Sequence, residues 1–331
     1  MPLRSRPIFA ELPQEETVDP AALLEEYRSG GCDLIVVLGP TASGKTRYAV
    51  ALAREINRLS GAPVAEIISA DSRQVFRGMD IGTGKDLSEY GEISHHLLDI
   101  CEAGGRYSAY RYQADFCEAY QDILQRRGVP ILCGGTGLYI EAAACGYDFT
   151  RKDLSHTTGR PESREAGLPS ITPVEGTARE SQAAPSDVFA RDLAAADDPE
   201  IDLASGSASA PADVSGFPSA DASRLPRKPF FIGTLVTREE RIARIDARLL
   251  ERLEEGMVDE VRSLLESGVP PEAMYDYGLE YRYVTMYLQG ELSYDEMVSR
   301  LATAIHRFAK RQMTWWRGME RDGHVIHWVR V

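Results

Sequence analysis

The chain has 331 residues, 43% of them hydrophobic, and a formal net charge of −14, which is enough apolar material for one sizeable core or two domains. No apolar run approaches the ~20 residues of a bilayer-crossing helix, residues 1–31 lack the apolar h-region of a secretory signal, and the acidic total argues against indiscriminate attraction to nucleic acid. The five cysteines, Cys32, Cys101, Cys117, Cys133 and Cys145, fall at no metal-ligand or redox spacing; they read as small buried hydrophobes of a reducing compartment, and the cytoplasm is the expected location.

Residues 1–31 form an N-terminal extension, after which Asp33–Leu38, "DLIVVL", is a short β-branched run that reads as a buried strand. It leads into "GPTASGKT" and a helical pattern from Arg47 to Leu59, followed by a second strand, Ala65–Ser69. Ser108–Gln125 reads as an amphipathic helix with Phe116, Tyr120, Ile123 and Leu124 on one side and Ser108 as its N-cap. Gly128 ends it, and "VPILCGG" is a further buried strand. Strands alternating with helices predict an α/β fold: a P-loop type, doubly wound parallel sheet flanked by helices, with its first part over residues 32–146.

From Tyr147 to Arg227 the composition turns to Ser, Ala, Pro, Asp and Gly with few large apolar side chains. Such a stretch cannot bury enough apolar surface to offset its ordering entropy, so a low-complexity, acidic and disordered insertion is expected over 147–228. Order resumes with Phe230–Val236, "FFIGTLV", a strand opening the second part of the core, 229–331. A long helix follows with Ile242, Ile245, Leu249 and Leu253 on one face and an arginine stripe, Arg241, Arg244, Arg248 and Arg252, beside it. The remainder is helical and finishes in "HVIHWV", a last strand.

Gly39, Pro40, Thr41, Ala42, Ser43, Gly44, Lys45 and Thr46 fit G-x-x-x-x-G-K-[ST] between a strand and a helix, the context that this motif requires. Its backbone N–H groups and the helix N-terminus would close around phosphate oxygens, with Lys45 neutralising charge and the Thr46 hydroxyl holding Mg²⁺. The loop by itself reads a nucleoside triphosphate and an isoprenoid diphosphate alike. At the next strand end stand Asp71, Ser72, Arg73 and Gln74, and "GGTGLY", Gly134–Tyr139, ends a third; ligands of parallel sheets bind outside these carboxyl ends, so the three should open onto one crevice.

These segments carry a resemblance. "GPTASGKT", "ISADSRQVFRGMDIGTGK", "HHLLDI", "YSA", "PILCGGTGLYI", "ELSYDEMV" and "AKRQMTWWRG" stand in the order seen in tRNA dimethylallyltransferases, and the chain is similar to that family from about Leu34 to Gly146 and from Phe230 to Trp328. The resemblance implies transfer of a dimethylallyl group from dimethylallyl diphosphate to N6 of an adenosine beside a tRNA anticodon. It implies Asp71 as the general base that takes the amine proton, Lys45 and Arg248 on the leaving diphosphate, and the loop Gly39–Thr46 as the diphosphate site. Asp71, Ser72, Arg73, Gln74 and Thr136 match positions that meet the tRNA, whose target base must leave its stack. The implied cofactor is Mg²⁺, and the implied partners are dimethylallyl diphosphate and a tRNA anticodon stem-loop, bound by a monomer that engages no membrane.

Other readings of the residues stand beside this one. The run "HRFAKRQMTWWRG" combines Arg307, Lys310, Arg311 and Arg317 with Trp315 and Trp316, which suits phosphates and unstacked bases, and it is equally the spacing of a helix with a buried tryptophan face. The arginine stripe after Thr237 suits a solvated face paired with Asp246 and Glu251. His95 and His96 have no ligand spacing and read as structural. The chain departs from the family where the acidic segment occupies the position of a helical insertion that grips the anticodon stem, at Ile305-His306-Arg307, and at Gly278–Tyr281, "GLEY". A free adenine nucleotide as acceptor, a P-loop small-molecule kinase and an inactive binding copy are the alternatives.

Overall fold

The sheet grows outward from the apolar run of strand β1, Leu34–Leu38, in which every side chain is buried. A strand hidden on both faces needs neighbours on both edges, and β1 pairs in parallel with β4, Val129–Gly134, and with β5, Pro229–Leu235. β2, Ala65–Ser69, joins the outer edge of β4, and β6, Ile326–Arg330, that of β5. The two-residue β3, His95–His96, pairs with β2, giving a six-stranded parallel sheet in the order β3-β2-β4-β1-β5-β6 among the described residues. The structure, a computed structural model, describes residues 12–146 and 222–331. Expectations placed on 1–11 and on 147–221, the acidic insertion among them, lie outside the described residues.

Helices cover both faces, as the parallel sheet requires. On one face α1, Pro20–Arg28, and α2, Lys45–Ser60, pack against the sheet: Leu23 and Leu24 of α1 join Ala49, Ala53 and Ile56 of α2 beneath Ile35, Val37 and Ile131. Residues 20–28 of the N-terminal stretch therefore belong to the core. The segment 222–228 is likewise folded onto it: Leu225 is buried, and the N–H groups of Arg227 and Lys228 donate to the Asp33 carboxylate.

α3, Ala109–Gln125, starts at Ser108, whose hydroxyl accepts the Arg111 N–H, and buries Phe116, Tyr120 and Ile123 as the periodicity predicts. α4, Gly137–Ala144, follows β4 directly. After β5 comes the helical part: α5, Arg238–Glu254; α6, Met257–Glu266; α7, Pro271–Asp276; α8, Leu279–Leu288; and α9, Tyr294–Arg321. Capping boxes at Thr237/Glu240 and Ser293/Glu296 start the two longest, so their entry angles are fixed by hydrogen bonds rather than by packing alone. These helices share a second apolar cluster, in which Ile245, Leu249, Met257, Met274 and Leu301 enclose Val75, Phe76 and Met79 from the loop after β2. That burial anchors the loop carrying residues 71–85 to the helical part.

At the sheet edge Glu66 of β2 is buried beside His96, which lies 2.8 Å away, and Arg126 of the turn after α3. Burial works to raise the Glu66 pKa, but the Arg126 and His96 hydrogen bonds prevail and hold the carboxyl below its ordinary value. His96 is thus structural, as its lack of ligand spacing indicates.

Candidate active site

At the carboxyl end of β1 the chain turns sharply beneath β5. A side chain on Gly39 would put its Cβ 2.3 Å from Thr234 Oγ1 and 3.1 Å from the Thr234 carbonyl, so only glycine fits there. Ser43 is fully buried below the loop; its hydroxyl donates to the Pro40 carbonyl at 2.7 Å and lies 2.6 Å from Thr234 Oγ1. Gly44, in the left-handed region, caps the start of α2, whose N-terminal dipole faces the loop's concavity. Lys45 folds back so that Nζ donates to the Pro40 carbonyl at 2.9 Å, which leaves two of its three N–H groups for an anion. Burial lowers the Lys45 pKa, with Asp71 among the groups opposing it. An arriving polyanion would therefore be met by a cation in a partly dehydrated setting, where the attraction exceeds that in water.

One cavity of about 150 Å³ collects the sequence-predicted residues. Thr41, Lys45 and Thr46 line it from the phosphate loop; Asp71, Ser72, Arg73 and Gln74 from the end of β2; Thr136 from the end of β4; and Arg248 from α5. Gly39, Pro40, Ala42, Ser43 and Gly44 shape the loop from behind and are not part of the cavity wall. Asp71 is half-buried, and its Oδ1 accepts the Arg73 N–H at 2.9 Å, a turn that aims the carboxylate from the strand end. The Ser72 N–H donates to Thr136 Oγ1 at 3.1 Å, tying the β2 and β4 ends together. Gln74 donates to the Gly84 carbonyl at 3.3 Å and accepts from Ser69 Oγ at 3.4 Å, so one N–H and one lone pair of its amide stay available. The Arg73 guanidinium reaches the Asp276 carbonyl, and burial lowers its pKa.

The arginine stripe of α5 divides. Arg248 and Arg252 reach the cavity, donating to the Gly84 carbonyl at 3.3 Å and the Gly82 carbonyl at 3.2 Å respectively. Burial, and then the neighbouring Arg248, lower the Arg252 guanidinium to about 10. Arg252 also pairs with Glu280 at 3.4 Å, and burial raises the Glu280 pKa against that pull. The α9 run divides too. Trp316 is fully buried in the core, whereas Ile305, Phe308, Arg311, Gln312 and Trp315 line the cavity. Burial pushes the Cys133 thiol at the cavity floor up to about 12, so it remains neutral and is no nucleophile at physiological pH.

Sequence reading named Arg252 as part of the arginine stripe but did not single out Glu280 or Gln312. The signal for Gln312 was present: Ile305, Phe308, Gln312 and Trp315 recur at helical spacing along one face of α9. Glu260 of α6 was also missed. Its two carboxylate oxygens accept the N–H groups of Asp80, Ile81 and Gly82 at 2.8, 2.7 and 3.0 Å, and Oε1 accepts the Tyr281 hydroxyl at 2.6 Å.

The site's donor set fits Mg²⁺. That ion usually takes one or two oxygens from the protein and the rest from substrate phosphates and water, and Thr46, a hydroxyl residue at the start of α2, lines the cavity. Among the described residues no group of three or more His, Cys, Asp or Glu side chains forms a metal cluster.

Known proteins resemble this chain over most of its length. The family described as IPP transferase matches residues 74–319. The tRNA dimethylallyltransferase 1 of Parabacteroides distasonis is 46% identical over 305 residues, covering 90% of this chain and 92% of that protein. The tRNA dimethylallyltransferase 2 of Bacteroides fragilis is 44% identical over 302 residues, with 90% and 92% covered. Among solved structures, the full-length tRNA isopentenylpyrophosphate transferase of Bacillus halodurans superposes with a TM-score of 0.61 at 26% identity, covering 90% of this chain and 89% of that one. A eukaryotic dimethylallyltransferase acting on tRNA shares the fold, with a TM-score of 0.56 at 21% identity over 85% of this chain and 69% of that one. With the family matched over residues 74–319 and relatives more than 40% identical across nine-tenths of its length, the chain belongs to the IPP transferase family.

Proposed function

We propose that this chain transfers a dimethylallyl group from dimethylallyl diphosphate to N6 of an adenosine next to the anticodon of tRNA, releasing diphosphate. The relatives named above are tRNA dimethylallyltransferases. The observation that carries the reading is the shared cavity: the Asp71 carboxylate and the phosphate-loop side chains Lys45 and Thr46 line the same wall-to-wall space.

In this mechanism the loop Gly39–Thr46 and the N-terminus of α2 hold the diphosphate. The N6 amine is a poor nucleophile because its lone pair is delocalised into the purine ring. As N6 bonds to the allylic carbon, the carbon–oxygen bond breaks and its electron pair leaves with the diphosphate. Asp71 takes the N6 proton as general base. Lys45 and Arg248 supply positive charge where negative charge develops, an effect that grows as water is excluded. Thr46 would hold Mg²⁺ with the diphosphate oxygens, and the bound ion would supply further charge neutralisation. Ser72, Arg73, Gln74 and Thr136 would receive the unstacked base, with hydrogen bonds replacing lost stacking.

The experiment is a direct comparison of acceptors. With dimethylallyl diphosphate and Mg²⁺ at stated salt, an anticodon stem-loop should gain one dimethylallyl group by mass spectrometry and AMP should not. Preferential prenylation of AMP would replace tRNA as the acceptor. ATP-dependent phosphoryl transfer in place of either product would overturn the prenyltransferase reading.

A further inference from the structure

Gln312 is a polar side chain in the interior, only 8% exposed, and a buried amide must satisfy its hydrogen-bonding groups or cost stability. What sets Gln312 apart is where its partners lie. Its Oε1 accepts the backbone N–H of Thr41, inside the phosphate loop, at 2.8 Å. Its Nε2 donates to the backbone carbonyl of Gly135, in the turn after β4, at 2.8 Å. The two partners are 271 and 177 residues away along the chain, and each belongs to a different wall of the cavity.

The turn is built to admit this contact. A Cβ on Gly135 would lie 2.7 Å from Gln312 Nε2, and a Cβ on Gly137 would lie 2.6 Å from the Trp315 ring. The two glycines thus let one face of α9 press directly onto the turn. Thr136, between them, accepts the Ser72 N–H, and Ser72 adjoins Asp71. A continuous chain of contacts runs from the diphosphate loop through one amide to the segment carrying the general base.

We infer that Gln312 is a positioning residue that fixes the spacing between the diphosphate loop and the acceptor-side turn. This rests on the reaction proposed above. A displacement of about 1 Å between reacting groups can cost on the order of 100-fold in rate. A single rigid amide linking both loops is a direct way to prevent such a displacement. Gln312 touches no reacting atom in this role.

The test substitutes Gln312→Met, which keeps the side chain's length and removes both hydrogen bonds. Steady-state kinetics with dimethylallyl diphosphate and an anticodon stem-loop, titration with inorganic diphosphate, and folded fraction by near-UV circular dichroism are measured on wild type and variant. The expected result is a fall in kcat of about 100-fold, higher KM for both substrates, and diphosphate affinity weaker by about tenfold, as loss of preorganisation implies, with the folded fraction unchanged. A role in folding alone would lower kcat in proportion to the folded fraction and leave both KM values and diphosphate affinity at wild-type levels, and that result overturns the inference. So does a variant whose kcat and KM values match wild type. A wild-type protein that transfers no prenyl group refutes the proposed reaction instead, and the diphosphate titration then still decides whether Gln312 orders the loop.

Discussion

Replacing Asp71 with asparagine separates its proton-accepting role from its structural one. Oδ1 of the native carboxylate accepts the Arg73 N–H at 2.9 Å. An asparagine retains an oxygen at that point and loses only the added strength of a charged acceptor, about 1 kcal/mol. Set against the 5–15 kcal/mol stability typical of a folded domain, that loss leaves the protein essentially all native. A lost general base, by contrast, costs about 10²–10⁴-fold in rate, or roughly 3–5 kcal/mol of transition-state stabilisation. The assay is single-turnover transfer of labelled dimethylallyl to an anticodon stem-loop, alongside thermal unfolding of the same preparations. Asp71→Asn should lose at least ~100-fold in rate with a small change in Tm. A variant within tenfold of wild type, or one whose rate loss tracks its unfolded fraction, would refute the assignment.

The two inward-facing arginines should part company. Arg248→Ala removes a group whose hydrogen bond, among the described residues, goes to the Gly84 carbonyl, so it should lower kcat/KM by about 10²–10³-fold with little change in Tm. Arg252→Ala strips Glu280 of its partner as well, and should also cost about 1–3 kcal/mol of stability by urea unfolding. Gly39→Ala drives a Cβ against Thr234 and should cost about 1–3 kcal/mol through overpacking, with a raised KM for dimethylallyl diphosphate. Arg126→Ala breaks the pair at buried Glu66 and should lower stability to urea at pH 7, modestly because Arg126 itself is half exposed and screened by water. Because the folded Glu66 carboxyl titrates below its unfolded value near 4.3, this contribution is complete above that pH and is lost as pH falls through the folded value. The difference in unfolding free energy between wild type and Arg126→Ala should therefore shrink below roughly pH 4.

Much of the architecture was legible because it was written locally. β1, β2 and β4 are short β-branched or apolar runs with turn signals at their ends, and β2 spans Ala65–Ser69 as read. The cavity residues from the phosphate loop and from the ends of β2 and β4 were legible because each follows a strand end, whereas Arg248, inside α5, was named through the family resemblance. β3 was not, since two histidines carry no apolar run and pair only through neighbouring β2. Nor was the docking of α1, whose Leu23 and Leu24 acquire meaning only once α2 and the sheet are beside them. Which of Trp315 and Trp316 faces the core depends on the rotation of α9, and adjacent positions on a helix point about 100° apart. The spacing of α9 marks the face on which Gln312 lies, but not its partners: these are backbone groups, which leave no mark on residue identity except the glycines that admit it.

The grip of Glu260 on the Asp80–Gly82 turn bears on who does the bending when a substrate arrives. Four donors converge on a single carboxylate, so the segment downstream of Asp71 has little freedom to mould itself to a guest. An RNA whose adenosine enters this space would therefore absorb the distortion in its own loop, and among adenosine-bearing acceptors those whose loops open at low energetic expense would be served fastest.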